Sequence, residues 1–423
     1  MHHLLQPSSE SSQPRFSGQT DGYRLSPAAW RLDPGVHEAL VTCATSAVCR
    51  LQDLIRRAID DESWVASMLG WPATVRPSDA WGGEPDVGLG CHRCDTIYAE
   101  GRWHIVEINL MNAGGWIVPR LYREVVDPNP TDQPDPAALL LEHIVGACSV
   151  NRSREAGLVV LIRQRPSEEF CDRFISRCRE AIAGAWPGWR LAYACWDDLN
   201  FCSEGAFFET LRVDAILELE VAASLKRLQA QHLATKDQLI LIPGPSAGLA
   251  NDKRWLVELA REPGSTIPTT LALGSIRGGV QTFTQALLTQ LIEDRPKFVL
   301  KKAHSDGGVD VFAGRSNVVE PWRALVARAL AEGDWVVQSW IEPERPTGEA
   351  HGAELPSDAH LIFSPFVIGG HYAGGFVRIL RADGYHRVRR ISAAPVSIAD
   401  TQNGDALIPL FPILPPVTEQ YLI

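Results

Sequence analysis

Apolar residues set the rhythm of the chain. Between residues 26 and 70 they return every three or four positions (Leu40, Val41, Ala44, Val48, Leu51, Leu54, Ile55), with Arg and Asp between them, which predicts a helix. Trp71–Val87, rich in Pro, Gly and Trp, reads as an irregular connection. The spacing then drops to two, predicting strands at Asp95–Tyr98 and Trp103–Asn109 around a turn at Glu100-Gly101. Ala137–Val150 is helical in pattern. From Gly157 strands and helices alternate: strand Leu158–Ile162, helix Ser167–Ala183, strands Leu191–Ala194 and Val213–Leu217, helix Ala222–Ala230, strand Leu239–Ile242. That alternation predicts a parallel sheet covered by helices. Beyond the loop at Pro243–Gly248, a helix opens at Asn251–Trp255 and runs to Arg261, followed by an extended segment from Ile267 and a helix over Gln281–Ile292. Residues 297–314 read as strand, Gly-rich loop and strand. A helix at Trp322–Ala331 and a strand from Asp334 to Glu342 come next. Strands Leu361–Ile368 and Gly375–Leu380 flank a Gly-rich stretch at 369–375, and the tail from Ile391 reads as irregular.

At 423 residues the chain is too long for one small core. The divisions expected are a disordered stretch 1–20, an N-terminal helical region 21–150, a parallel α/β unit 151–248 and a final unit 249–423. A net charge of −11 argues against general binding to nucleic acid or to an anionic membrane, while leaving room for a local basic pocket. The polar start, without an apolar core, predicts no signal peptide, and no apolar run is long enough for a membrane span. Nine cysteines, an odd number placed within apolar segments, suit reduced thiols in a cytoplasmic protein. Cys91-His-Arg-Cys94 has no second pair at zinc spacing, so buried thiols are expected there rather than a metal or redox site.

Two stretches carry candidate chemistry. In the strand ending at Asn109, alternation places Glu107 and Asn109 on one face together with Ile105, a carboxylate and an amide oxygen that suit a hard cation. At 297–314 the strand Phe298–Leu300 ends in Lys301 and Lys302, and the following loop holds Ser305, Asp306, Gly307 and Gly308. Paired glycines let backbone N–H groups approach phosphate oxygens, a strand-end lysine adds positive charge, and an acid can meet a phosphate-bound Mg²⁺. Each stretch alone also fits an ordinary strand or hairpin. The first turn of the alternating unit, Arg163–Glu169, lacks a G-x-G-x-x-G run and so predicts no dinucleotide site.

Taken in order, the set resembles the circularly permuted branch of the ATP-grasp superfamily, with eukaryotic-type glutathione synthetase and, more distantly, glutathionylspermidine synthetase. The resemblance rests on Arg93-Cys-Asp95, Val106-Glu-Ile-Asn109 with a trailing Gly114-Gly115, Lys253, Ile267-Pro-Thr-Thr270, Phe298-Val-Leu-Lys301 with its loop, Trp335–Pro343 and Gly374-Gly-Phe-Val-Arg378. It spans about residues 88 to 380. It implies an α/β chain of α+β subdomains, permuted so that the acidic strand precedes the lysine strand, with an inserted parallel βαβ domain. It also implies ATP and two Mg²⁺ ions. Glu107, Asn109 and Asp306 would ligate metal, and Lys253 and Lys301 would bind phosphates beside Ser305, Gly307 and Gly308. Gln338, Ser339, Trp340 and Ile341 would frame the adenine, Glu342 or Glu344 the ribose, and Arg93 and Arg378 a carboxylate or acyl phosphate.

The implied activity is ligation of a small-molecule carboxylate to an amine through an acyl phosphate. Two readings of other kinds stand beside it, a nucleotide-binding regulatory or scaffold protein with a decayed site, and an ATP-dependent phosphotransferase. Asp306 stands one position later than the family's acid, and Leu110, Met111 and Asn112 replace its small hydroxyl residues, which disfavours glutathione precursors as substrates. The sequence leaves open whether the chain is a monomer or a homodimer.

Overall fold

The computed structural model describes residues 28–61, 90–110, 116, 119, 134–152, 155–162, 168–218, 225–236, 238–244, 247–273, 285–305, 310–346, 348–351, 359–381, 389–398 and 409–410. Asp306, Gly307, Gly308, Gly114, Gly115 and the expected disordered start lie outside these residues.

The described part begins with β1 (Ala28–Leu32) and α1 (Pro34–Asp60). Pro34 sits in the first helical turn, where its fixed φ helps and its missing N–H is not needed. β1 was not expected, since its residues fell within the predicted helix. β2 (Cys91–Ala99) and β3 (Arg102–Asn109) form a hairpin, and α2 (Pro136–Arg152) follows. The alternating unit is β4 (Gly157–Ile162), α3 (Glu168–Ala185), β5 (Trp189–Ala194), β6 (Leu199–Cys202), β7 (Gly205–Phe208), β8 (Leu211–Val213), β9 (Ala215–Glu218), α4 (Leu225–Thr235) and β10 (Ile240–Ile242). After the short α5 (Ala247–Ala250) come α6 (Trp255–Ala260), β11 (Thr270–Leu273), α7 (Gln285–Glu293), β12 (Phe298–Lys302), β13 (Val311–Ala313), α8 (Val319–Glu332) and β14 (Trp335–Ser339). The last strands are β15 (Gly348–His351), β16 (Ala359–Ile368), β17 (His371–Arg381), β18 (Arg389–Ile398) and β19 (Pro409–Leu410).

Four sheets result. An eight-stranded sheet runs β15-β1-β18-β17-β16-β2-β3, with β19 beside β1. Apart from the parallel β1–β18 pair, its ladders are antiparallel. α1 lies on it through Leu40, Ala44, Val48, Leu51 and Ile55, all buried against Trp103, Ile105, Phe363 and Val377. The tail expected to be irregular instead supplies β18. Its small residues and Pro395 hide the strand period, and pairing with Phe376 and its neighbours in β17 forms it. A second sheet, β10-β9-β4-β5, is parallel as predicted. The strand expected over Val213–Leu217 divides at Asp214. This buried side chain accepts the Leu158 N–H at 3.1 Å and lets β8 leave for a small β6-β7-β8 meander. The third sheet, the antiparallel β11-β14-β12-β13, is covered on one face by α7 and α8 through Leu291, Trp322, Val326 and Ala329.

The stretch 369–375 is not an open loop. Gly369 and Gly370 make the tight β16–β17 turn at φ of 56° and 82°, and residues from His371 onward are already in β17. Cys91 and Cys94, three apart on β2, face opposite ways and are separate buried thiols. Among the described residues no helix is long and apolar enough to cross a membrane.

Gly314 is among the glycines fixed by backbone contact. At Gly314 an added Cβ would lie 1.9 Å from the Arg295 carbonyl oxygen, so the backbone around the loop to β12 must shift. Gly314→Ala is expected to lower unfolding stability by about 1–3 kcal/mol, read from urea midpoints.

Candidate functional site

The site forms where the β2–β3 hairpin of the large sheet meets β12 and β14 of the third. The hairpin register pairs Arg93 with Asn109 and Asp95 with Glu107, so these four side chains share a face. One residue further the register slips, and Thr96 pairs with Ile105, which leaves Val106 as a bulge. The bulge reverses parity, so Ile105 goes to the other face and into the core, contrary to simple alternation. It also turns Val106 toward β12, where its carbonyl oxygen accepts a hydrogen bond from Lys301 Nζ at 2.8 Å. Ile105 N–H leaves the sheet to donate to Thr266 O at 2.9 Å.

Lys301 is 6% exposed and donates a second bond to Gln338 Oε1 at 2.8 Å. Burial lowers its pKa to about 8. Glu107 pulls against that shift and Lys253 reinforces it. Lys253 was expected on a helix but sits in the turn before α6. Its backbone N–H donates to Ala303 O at 3.1 Å, and its Nζ donates to Ser305 O at 2.6 Å and lies 3.3 Å from Glu107 Oε1.

Asp95 centres the other half. Arg93 Nε, at 3.1 Å, and Ser364 Oγ, at 3.0 Å, donate to its Oδ1. Asn109 Nδ2 donates to its Oδ2 at 3.2 Å, and the Arg378 guanidinium pairs with the same oxygen. Burial alone would raise the Asp95 pKa, but Arg378 and Arg93 outweigh it and hold the carboxyl well below its usual range. Ser364 gave no sequence signal, because only the β16–β2 pairing brings it here. Asp95 did leave one, standing two residues from Arg93 on a predicted strand.

The strand expected to frame an adenine is β14 with its continuation. Gln338 is buried and bonded at both ends of its amide, to Lys301 and to Thr270. The Ser339 N–H donates to Thr269 O and the Trp340 N–H to Lys297 O. Trp340 and Ile341 are half-buried at the rim. Arg315 stacks on the Trp340 ring at 4.9 Å and pairs with Glu342, which also accepts from Trp340 Nε1 at 3.0 Å. Glu344 is exposed and its N–H donates to Tyr98 O at 2.8 Å, tying the strand's continuation to the hairpin.

Lys253, Lys301, Arg93 and Arg378 are thus gathered around two carboxylates, Asp95 and Glu107. In a chain of net charge −11, that local excess of cations suits an anionic ligand. Two observations favour one. Arg378 Nε and Ser305 Oγ are buried polar atoms with no hydrogen-bond partner among the described residues. The fit to a metal is narrower. Among the described residues no group of three or more His, Cys, Asp or Glu side chains could hold an ion. Glu107 and Asn109 present a carboxylate and an amide oxygen side by side, and Asp306 lies outside the described residues.

A glutathione synthetase-like effector from Globodera pallida, in apo form, superposes with a TM-score of 0.53 at 14% identity, over 88% of this chain and 87% of that one. The chain has a glutathione synthetase-like fold. That is the kind of fold to which the motifs pointed. A candidate gamma-glutamylcysteine synthetase from Methylobacillus flagellatus KT matches over 86% of this chain and 89% of that one at 12% identity, with a TM-score of 0.42, too low to bear on the fold. No protein-family model and no curated protein matches the sequence.

Proposed function

We propose that this glutathione synthetase-like chain is an ATP- and Mg²⁺-dependent ligase that joins a small-molecule carboxylate to an amine through an acyl phosphate. The observation that carries the reading is the meeting of three residues far apart in sequence: Lys253 Nζ lies 3.3 Å from Glu107 Oε1, and Lys301 Nζ bonds the carbonyl of Val106 next to Glu107. Phosphoryl transfer to a carboxylate brings two anions together, so catalysis consists largely of positioning and charge compensation. Lys253 and Lys301 supply fixed positive charge for the nucleotide phosphates. Glu107 and Asn109 are the residues that would hold Mg²⁺, with Asp306 as a third ligand. The ion would neutralise charge on the transferring group. Gln338 to Ile341 would border the base and Glu344 the ribose, since Glu342 is engaged by Arg315. Arg378, with an unsatisfied Nε beside Arg93, would orient the substrate carboxylate or the acyl phosphate. The amine then attacks the acyl carbon, phosphate leaves, and an amide remains.

The test is ADP release by the wild type over a panel of acids and amines, set against Glu107→Ala. Turnover is expected to fall by about 10²–10³, the range for losing one transition-state charge partner. Equal turnover would sink the proposal.

A further inference from the structure

Lys301 stands at the end of a hydrogen-bond chain that starts at Thr270, the last residue of the Ile267-Pro-Thr-Thr270 stretch, to which no role is given above. Thr270 Oγ donates to the Pro268 carbonyl oxygen at 2.7 Å. A hydroxyl has one hydrogen, so with that committed Oγ meets its other neighbour as an acceptor, and Gln338 Nε2 donates to it at 3.1 Å. The Gln338 amide is thereby oriented with Oε1 toward Lys301, whose Nζ donates to it at 2.8 Å. Thr270, Gln338 and Lys301 are 3%, 2% and 6% exposed, so no member of the chain can exchange its partner freely for water. The β11–β14–β12 registers put all three on one face of the sheet, opposite the face that α7 and α8 cover.

A lysine ammonium has three N–H donors. One goes to Gln338 Oε1 and one to the Val106 oxygen, which fixes the direction of the third. Turning the Gln338 amide over would bring its N–H₂ against the ammonium and leave a buried donor without its acceptor. We infer that Thr270 is a positioning residue which, through Gln338, aims the free N–H of Lys301 at a nucleotide phosphate. The inference rests on the reading of this site as a nucleotide site.

The experiment uses the full chain and two readouts. Calorimetry gives Kd for Mg·ATP, and ¹³C NMR of ε-labelled lysine, with Lys301 assigned through Lys301→Arg, gives its titration midpoint. Thr270→Val keeps the volume and deletes the hydroxyl. It is expected to raise Kd about tenfold, the size of one lost buried hydrogen bond, and to lower the Lys301 midpoint. Thr270→Ser is expected to stay within about twofold on the same scale. The double variant Thr270→Val/Gln338→Leu is expected to bind no worse than Gln338→Leu alone, because both act through one chain. An unchanged Kd and midpoint in Thr270→Val, or effects of the two substitutions that multiply, would overturn the inference. If the wild type binds no Mg·ATP, the ligase reading fails, and the Lys301 midpoint still decides whether Thr270 positions it. Should Thr270→Val fail to fold, Thr270→Cys takes its place with the same expectations.

Discussion

Asp95→Asn is expected to destabilise the fold by about 3–5 kcal/mol at pH 7, among the largest single-residue effects on stability in the molecule. The substitution keeps shape and removes charge. Arg93 and Arg378 are then left in the interior without their counter-ion, and the bonds from Ser364 Oγ and Asn109 Nδ2 lose their anionic acceptor. The pH dependence gives a second handle. The Asp95 carboxyl sits well below its ordinary value of 3.8 when folded. Its stabilisation is therefore fully present above that value. It is lost as pH falls further, because the unfolded chain takes up the proton first. Urea midpoints for the wild type and Asp95→Asn should stand apart at neutral pH and converge as pH drops below about 4. A gap under about 1 kcal/mol at pH 7, the level of an exposed pair, would show that the arginines are not held as described.

The second large effect is on binding and runs the other way in pH. Lys301 titrates near 8 when folded, against 10.5 for an ordinary lysine. Its folded pKa is lowered, so stability rises as pH climbs through the window from 8 to 10.5, and the buried charge is carried at a cost below it. Phosphate binding needs that charge. With one proton linked to binding, Kd for Mg·ATP should weaken by about 25-fold between roughly pH 7.5 and 9.5. Lys301→Arg keeps its charge throughout and should show a flat profile over that window, whatever its affinity. Lys301→Met should abolish tight binding, with a loss of about 10²–10³-fold. Calorimetry across the pH series reads all three. A flat wild-type profile, or an equal rise in the arginine variant, would remove Lys301 from the phosphate site.

Both effects turn on residues of unequal legibility. Lys301 and Glu107 stood out because each ends or interrupts an apolar strand beside glycine-rich or small-residue sequence, where a charge needs a reason. Arg93 and Asp95 were legible as an Arg-x-Asp pair, although the predicted strand began only at Asp95 and the hairpin register is what sets both on one face. What brings Ser364 and Arg378 to them is pairing of β16 with β2 and of β17 with β16, which no local pattern encodes. The bulge at Val106 was equally silent. One extra residue in a strand changes no composition, yet it moved Ile105 into the core and turned a backbone carbonyl onto Lys301. β18 was hidden for a related reason. Its alanines, serines and proline have weak strand preference alone, and neighbouring β17 supplies the order. The parallel unit was read well because buried strands flanked by amphipathic helices announce themselves by apolar runs, as Leu158–Ile162 does. Thr270 stood within a recognised stretch, Ile267-Pro-Thr-Thr270, but its part depends on a cross-strand neighbour, Gln338, which no local pattern shows.

The chemistry is tested most directly by following oxygen. With an acid–amine pair that supports ADP release, the acid is labelled with ¹⁸O in its carboxylate and the phosphate product is analysed by mass spectrometry. An acyl phosphate route moves one labelled oxygen from the carboxylate to phosphate for each amide formed. ADP release with unlabelled phosphate, or labelled acid recovered without amide, would contradict the ligase account.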